Sequence, residues 1–319
     1  MKRPLRRRLL TITALGAILA ATVVGLPDST TQPAETVLVA TNSARSVDIG
    51  KDMLYVLAVG SDQREGEDML RSRGDALQMV AINTKTGAAA ILGVPRDSYV
   101  PIPGHGSEKV NAALYFGGPA LLGEAVGDLV GIQPDYVFVS SFKKFQKLVG
   151  GIGGIDISNP FYFEDKYLKS RGFQEGKIHL TGYEAMAYAR IRYGLPRGDF
   201  DRSRHQSVVL RAIQKKVHRK ASSPGFIAAG VASVMKNLHT DLSPVELFKL
   251  GQVLASIKPS KVTNCIVQGG IGVSSAGASI VQPYLDQARA MGADAKKDGV
   301  LSRCESPWAV PDPASGSAN

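Results

Sequence analysis

Three short apolar runs, 53–60 (MLYVLAVG), 76–83 (ALQMVAIN) and 88–94 (AAAILGV), constrain the fold more than any other feature of the chain. Each is bounded by turn residues and lacks a polar face, so each reads as a strand buried on both sides. A sheet of such strands needs helices over both faces. Helical patterns at 108–116, 119–130, 142–148, 183–189, 200–219, 224–235, 244–257 and 279–291 supply them, and further strands are expected at 135–140, 154–158 and 261–268. The interleaving predicts an α/β fold: a three-layer sandwich with a central mixed β-sheet flanked by helices.

Residues 84–87 join the second and third runs as a hairpin, so the three strands alternate in direction. Asp62 and Arg64 after the first, Arg73 and Asp75 before the second, and Arg96 and Asp97 after the third then fall at one end of the sheet. As scattered turn residues they would form surface ion pairs worth ~0–1 kcal/mol each. The segment 190–206 (RIRYGLPRGDFDRSRHQ) changes that balance. Arg190 and Arg192 face one way in an extended stretch, while Arg202 and Gln206 share a helical face at i, i+4, with Asp199 near the start of that helix. Brought to the same edge, Arg64, Arg73, Arg96, Arg190, Arg192 and Arg202 converge with several aspartates. Two like charges ~6 Å apart repel by ~2–3 kcal/mol at an effective dielectric of ~20, so the cluster needs an anion or interleaved carboxylates. Phosphate matches the planar fork of arginine, and aspartates beside phosphate suit Mg²⁺.

The compartment follows from the N-terminus. Lys2, Arg3, Arg6, Arg7 and Arg8 precede a stretch, 9–27, with no charged residue, and Asp28 follows it. At ~1.5 Å per helical residue the stretch approaches the ~30 Å hydrocarbon core of a bilayer. The positive-inside rule leaves residues 1–8 in the cytoplasm, 9–27 as a single transmembrane anchor and the rest outside the cell membrane. A cleaved signal peptide is the alternative, and it exports the folded part equally. Residues 28–50, rich in Thr, Ser, Pro and Ala, read as an extracellular linker, 51–305 as the catalytic domain, and 306–319 as a flexible tail. Cys265 and Cys304 either pair, as export permits, or stand as two buried thiols. The five histidines show no i, i+4 pair, which argues against a His-ligated transition metal. With 38 Lys and Arg against 28 Asp and Glu the chain carries +10, much of it in the first eight residues, and calls for an anionic partner.

In order along the chain, GSDQR at 60–64, RSRGD at 71–75, VPRDSYVPIPG at 94–104, KVNAALYFGG at 109–118, RIR at 190–192 and DFDRSRHQ at 199–206 resemble the LytR-CpsA-Psr family of cell-envelope phosphotransferases. The resemblance is strongest over 53–215 and implies transfer of a glycopolymer from a polyprenyl-pyrophosphate carrier to peptidoglycan as a phosphodiester. It matches Asp62 and Asp75 to the positions associated with Mg²⁺. It places Arg64, Arg73, Arg96, Arg190, Arg192, Arg202 and Gln206 around the pyrophosphate. Arg73, Arg96, Asp97, Asp199 and Arg202 are the residues expected to carry catalysis. The sequence departs from the family pattern at His205, where Arg is usual, at Val149 and Gly150, where Asp is frequent, and at Gly74, where Ser or Thr is common.

A pyrophosphate hydrolase would use nearly the same residues, and a non-catalytic module binding anionic lipid or polymer would need the arginines without Asp62 and Asp75. A nucleotide fingerprint, a Walker A loop and a G-x-S-x-G elbow are absent, and an exported domain cannot reach the genome, so nucleic acid is not an expected partner.

Overall fold

A computed structural model describes residues 36–44, 52–63, 67–235, 238–302 and 304. The proposed cytoplasmic segment, the anchor at 9–27, Arg64 and the tail at 306–319 lie outside the described residues. Among the described residues, no helix is long and apolar enough to cross a membrane.

The central sheet contains β1 (Thr36–Ala40), β2 (Met53–Ser61), β3 (Gly74–Asn83), β4 (Ala88–Gly93), β5 (Tyr136–Ser141), β6 (His239–Thr240) and β7 (Val262–Ile266). Their order is β6-β1-β5-β2-β3-β4-β7. The pairs β2/β3, β3/β4 and β1/β5 are antiparallel, whereas β2/β5, β4/β7 and β1/β6 are parallel, so the sheet is mixed. The helices are α1 (Ala113–Val130), α2 (Phe142–Gly151), α3 (Gly182–Arg190), α4 (Asp199–Ala221), α5 (Phe226–Met235), α6 (Pro244–Ser256) and α7 (Leu285–Asp298).

Successive side chains of a strand point to opposite faces, and here both faces are apolar. Leu57, Val59, Leu77, Met79 and Leu92 pack with Leu122, Val126 and Leu129 of α1 and Ala288 and Met291 of α7. Leu54, Ile82, Ile91 and Tyr136 pack on the other side with Leu247, Leu250 and Val253 of α6. The two apolar layers produce the expected three-layer sandwich, each fully buried Leu or Met contributing ~1.5–3 kcal/mol. A separate core beside the sheet gathers Val149, Ile155, Phe163, Phe173, Leu180 and Tyr188 under α3 and α4.

Several local expectations are corrected. Residues 36–40, read as linker, form β1 inside the sheet, because TVLVA pairs with both β5 and β6. The helix expected at 108–116 starts later: Gly106–Lys109 is the second arm of a hairpin with Tyr99–Ile102, and α1 begins at Ala113. The break expected near residue 118 is real, with Gly117 at φ −146° and Gly118 at φ 70°. Residues 279–283, read as helix, pair as a strand with Gly269–Val273, and α7 begins only after Pro283 and Tyr284. The strand expected at 154–158 is Ile155–Asn159, paired with Gly176–Leu180, and between them Phe163–Asp165 pairs with Lys169–Phe173.

Cys265 in β7 and Cys304 beyond α7 form a disulfide with their Cα atoms 5.6 Å apart, across a sequence separation of 39. In the chain-entropy model, closing a loop of about that length removes enough unfolded-state freedom to stabilise the fold by ~4 kcal/mol.

Candidate active site

The inferred alternation of the first three strands is observed, and it delivers Asp62, Asp75, Arg96 and Asp97 to one end of the sheet. Opposite β2, Gly60 pairs with Ala76 but Ser61 pairs with Gly74, so Asp75 is the extra residue of a β-bulge. Bulges re-aim a side chain at the cost of one ladder position, a device common beside functional sites. A Cβ at Gly74 would lie 3.0 Å from Leu77 and 3.3 Å from Val59, so the Ser or Thr common in the family would need these side chains to give by a few tenths of an ångström. The backbones of Asp62 and Arg73 clasp each other, Asp62 N–H donating to Arg73 O and Arg73 N–H to Asp62 Oδ1, both at 3.1 Å.

Arg96 Nη1 donates to Asp75 Oδ1. Asp97 beside it forms an ion pair with Lys109 Nζ at 3.0 Å. At the first turn of α4, Arg202 touches Asp199 one turn back, and Arg202 is only 4% exposed. The contact is not aligned as a hydrogen bond: Arg202 Nε and Nη2, both Asp199 carboxylate oxygens and Arg96 Nε are all buried without a hydrogen-bond partner. An unpaired buried polar group costs ~1–3 kcal/mol, more when charged, so Arg202 Nε, left without a partner while Nη2 pairs with Asp199, suits an anion.

The electrostatics agree. Burial, then the neighbouring Asp75 charge, lifts the Asp62 carboxyl above its ordinary range. Burial lifts Asp199 as well, against the pull of Arg202, while burial holds Arg202 below the usual arginine value despite Asp199. For Arg96, burial lowers the guanidinium, but the charge and hydrogen bond of Asp75 outweigh it and the net shift is upward.

Arg190 is the last residue of α3, and α3 ends there, so Arg190 and Arg192 are not two positions of one extended stretch as expected. The Arg190 guanidinium lies 4.3 Å from the Phe142 ring centre, and Phe142 in turn packs beside Gly60 at the same end of the sheet. Arg192 stacks on Tyr193 and donates to its hydroxyl at 3.0 Å. Arg73 is exposed and lines a second cleft of about 430 Å³ with Asp62, Arg71, Tyr115 and Phe116.

Gln206 is placed differently from the expectation of a phosphate ligand. Its Nε2 donates to Asp75 O at 3.0 Å and to Ala189 O at 3.3 Å, and its Oε1 accepts from Gln78 Nε2 at 3.3 Å. With its amide engaged at both ends, Gln206 is a strut that ties α4 to the bulge carrying Asp75. His205 faces away from the site. It stacks between Phe163 and Tyr188 at 4.9 and 4.3 Å, and burial pulls its pKa down to about 4, so it is neutral and contributes nothing to phosphate binding. Val149 is likewise part of the second core.

Sequence reasoning missed Gln78, Ser207 and Lys109. Ser207 Oγ donates to Gln78 Oε1 at 2.7 Å, which completes the Gln206 strut, and the one available signal was a glutamine within the apolar run ALQMVAIN. Lys109 was inside a quoted motif, but only the hairpin register that sets it opposite Tyr99 brings it to Asp97.

Arg96, Lys109, Arg192 and Arg202 thus meet Asp75, Asp97 and Asp199 at this end of the sheet, while Arg73 and Asp62 line the second cleft with Arg71, Glu67 and Glu108. Among the described residues no group of three or more His, Cys, Asp or Glu side chains could hold a metal ion by itself. Asp62 and Asp75 still fit Mg²⁺, since the Asp75 charge adds to burial in raising the Asp62 carboxyl and Mg²⁺ is commonly held by one or two carboxylates, water and substrate phosphates.

Comparison with known proteins follows the same lines. The LytR_cpsA_psr family model matches residues 26–297. The polyisoprenyl-teichoic acid–peptidoglycan teichoic acid transferase TagU of Bacillus cereus is 33% identical over 196 residues, 61% of this chain and 62% of that protein, so the match spans less than two thirds of the relative. The crystal structure of B. subtilis TagV superposes with a TM-score of 0.63 at 27% identity, covering 77% of this chain and 98% of that one. The LytR-CPS2A-psr family protein YwtF (TagT), solved with bound octaprenyl pyrophosphate lipid, gives a TM-score of 0.60 at 28% identity, covering 79% of this chain and 92% of that one. By a match that takes in the sheet, the bulge at Asp75 and the Arg202 helix alike, the chain belongs to the LytR-CpsA-Psr family.

Proposed function

We propose that this protein transfers a saccharide-bearing phosphoryl group from a polyprenyl-pyrophosphate carrier to a sugar hydroxyl of peptidoglycan. The observation that carries the reading is the buried Arg202 guanidinium, ion-paired with Asp199 through Nη2 and with Nε unpartnered, beside Arg96 on Asp75. It is supported by the likeness to TagU, named as a transferase from a polyisoprenyl carrier to peptidoglycan, and to TagT, solved with a polyprenyl pyrophosphate.

In the reaction, the acceptor hydroxyl oxygen forms a bond to the phosphorus bearing the saccharide. The bond from that phosphorus to the bridging oxygen breaks, and polyprenyl phosphate departs with the electron pair. Asp199 suits the hydroxyl proton, because its Oδ2 has no partner, Oδ1 pairs with Arg202, and burial has raised its basicity. Arg96 and Arg202 stabilise the charge that develops on the leaving phosphate. Asp62 and Asp75 would hold Mg²⁺, whose chemistry is to neutralise pyrophosphate charge. The full chain in proteoliposomes, given a lipid-pyrophosphate saccharide, Mg²⁺ and uncrosslinked peptidoglycan, is expected to form a phosphodiester-linked product. Release of free saccharide phosphate with no linked product would mark a hydrolase instead.

The run at 9–27 anchors the domain on the outer side of the cell membrane in this reading. Protease added to intact protoplasts should digest the domain, and membranes washed in high salt should retain the undigested protein. Release of most of the protein into the medium would exclude the anchor.

A further inference from the structure

The sheet register fixes where the chain enters the fold. Thr36, the first residue of β1, pairs with Ser140 near the C-terminal end of β5, and β5 runs parallel to β2 with Ser141 opposite Ser61. The chain therefore joins the sheet at the end that carries Asp62 and Asp75, not at the hairpin end where Asn83 pairs with Ala88. Helix α2 begins immediately after β5, capped by Ser141 Oγ, which accepts from Lys144 N–H at 3.3 Å. From Ser140 to Lys143 is at most ~11 Å of chain.

The sequence of α2, FKKFQKLVGG, has three lysines and no acidic residue. Phe145 and Val149, at i and i+4, turn into the second core. At ~100° per residue, Lys143, Lys147 and Lys144 fall within an arc of about 100° opposite that apolar pair. Lys143 and Lys147 are exposed, and Leu148 beside the arc is 39% exposed. Lysines with long aliphatic stems next to an exposed apolar side chain suit a phospholipid surface, where the ammonium groups meet phosphate and the stems lie along the acyl boundary. The same helix supports the site, since its Phe142 ring carries the Arg190 guanidinium at 4.3 Å.

We propose that the lysine face of α2 binds anionic phospholipid headgroups, a second membrane contact that turns the site end of the sheet toward the bilayer. The inference rests on the anchored reading, because a chain that leaves a membrane anchor at Pro27 and enters the sheet at Thr36 brings this helix within reach of headgroups. A soluble anionic polymer offers the lysines the same charge, but it gives no use to the exposed leucine and no reason for the helix to lie beside the entry point. Each lysine near an anionic bilayer is worth about a fivefold gain in binding, and salt screens that gain.

The full chain would be reconstituted into phosphatidylcholine vesicles with and without phosphatidylglycerol. Its lysines would be acetylated with a membrane-impermeant reagent and read by mass spectrometry. Lys297 is the internal reference: its side chain is 74% exposed, next to Asp298, whose carbonyl accepts from Asn83 at the opposite end of the sheet. With phosphatidylglycerol present, the reactivity of Lys143 and Lys147 is expected to fall about fivefold relative to Lys297 and to recover in high salt. In the double variant Lys143→Gln with Lys147→Gln, the remaining Lys144 should lose its protection, whereas Lys143→Arg with Lys147→Arg should keep it. Equal reactivity of Lys143 and Lys147 in the two kinds of vesicle, or equal protection of Lys297, overturns the lipid contact. Protection by soluble polyphosphate in neutral vesicles, without protection by phosphatidylglycerol, overturns it too and assigns the face to an anionic polymer. The anchor is read separately, by flotation with phosphatidylcholine vesicles after a high-salt wash. Loss of the protein there overturns the anchored reading, while the acetylation pattern on phosphatidylglycerol vesicles still decides the headgroup contact.

Discussion

Arg202→Lys is expected to lower transfer by about 10- to 100-fold. One charge-assisted hydrogen bond contributes ~1.5–3 kcal/mol, and ~1.4 kcal/mol is a factor of ten. Arg202 pairs with Asp199 through Nη2 and presents Nε without a partner in a site where it is 4% exposed, and an ammonium cannot reproduce that fork. Arg202→Ala removes the counter-charge of buried Asp199 as well, so a stability loss of ~3–5 kcal/mol should accompany the loss of activity, visible as a lower melting temperature. The lysine variant keeps the charge and isolates the catalytic effect. Arg219→Ala serves as control: it lies on the exposed end of the same helix and reaches only Asp156, at 3.4 Å. Similar small effects at both positions would reduce the cluster to a basic surface.

The second large effect is expected at Asp75. Asp75→Asn should cut turnover on the order of 100-fold, the scale reached when one preorganised charge-stabilising group is lost. The bulge geometry and the contact with Arg96 survive in the amide, so the melting temperature should move little. The Mg²⁺ concentration for half-maximal rate should rise, because a neutral amide is a weaker ligand than a carboxylate. Full activity of Asp75→Asn at unchanged Mg²⁺ would exclude the metal role for this residue.

The end of the sheet that carries the site was legible because it depended on very little: two antiparallel turns and the position of charged residues at strand ends. Arg202 and Asp199 were legible for a similar reason, since helical spacing sets which residues share a turn. Gln206 was not. The same i, i+4 spacing that aims it beside Arg202 also lets it reach two backbone carbonyls, and only the packed structure decides that those carbonyls win. His205 stood for a lost cation in the sequence, yet it faces Phe163 and Tyr188, where a charge would be costly. The hairpin at 269–283 was hidden because GGIGV has too few side chains to show an alternation, and the following SIVQP fits a helical stripe as readily as a strand. Burial of Gln78 inside an apolar run was a visible irregularity whose meaning depended on a helix more than a hundred residues away.

Strand β1 has a consequence for where the protein can work. Thr36 is hydrogen-bonded into the sheet beside β5, and the uncharged run ends at Pro27, so only residues 28–35 separate the proposed anchor from the folded body. At no more than ~3.3–3.6 Å per residue, that leash reaches under ~30 Å even when drawn straight. A domain on so short a leash cannot patrol the thickness of a cell wall. If the proposed anchor holds, the domain would stay within about its own diameter of the bilayer, and in the proposed reaction the growing wall would have to come down to meet it.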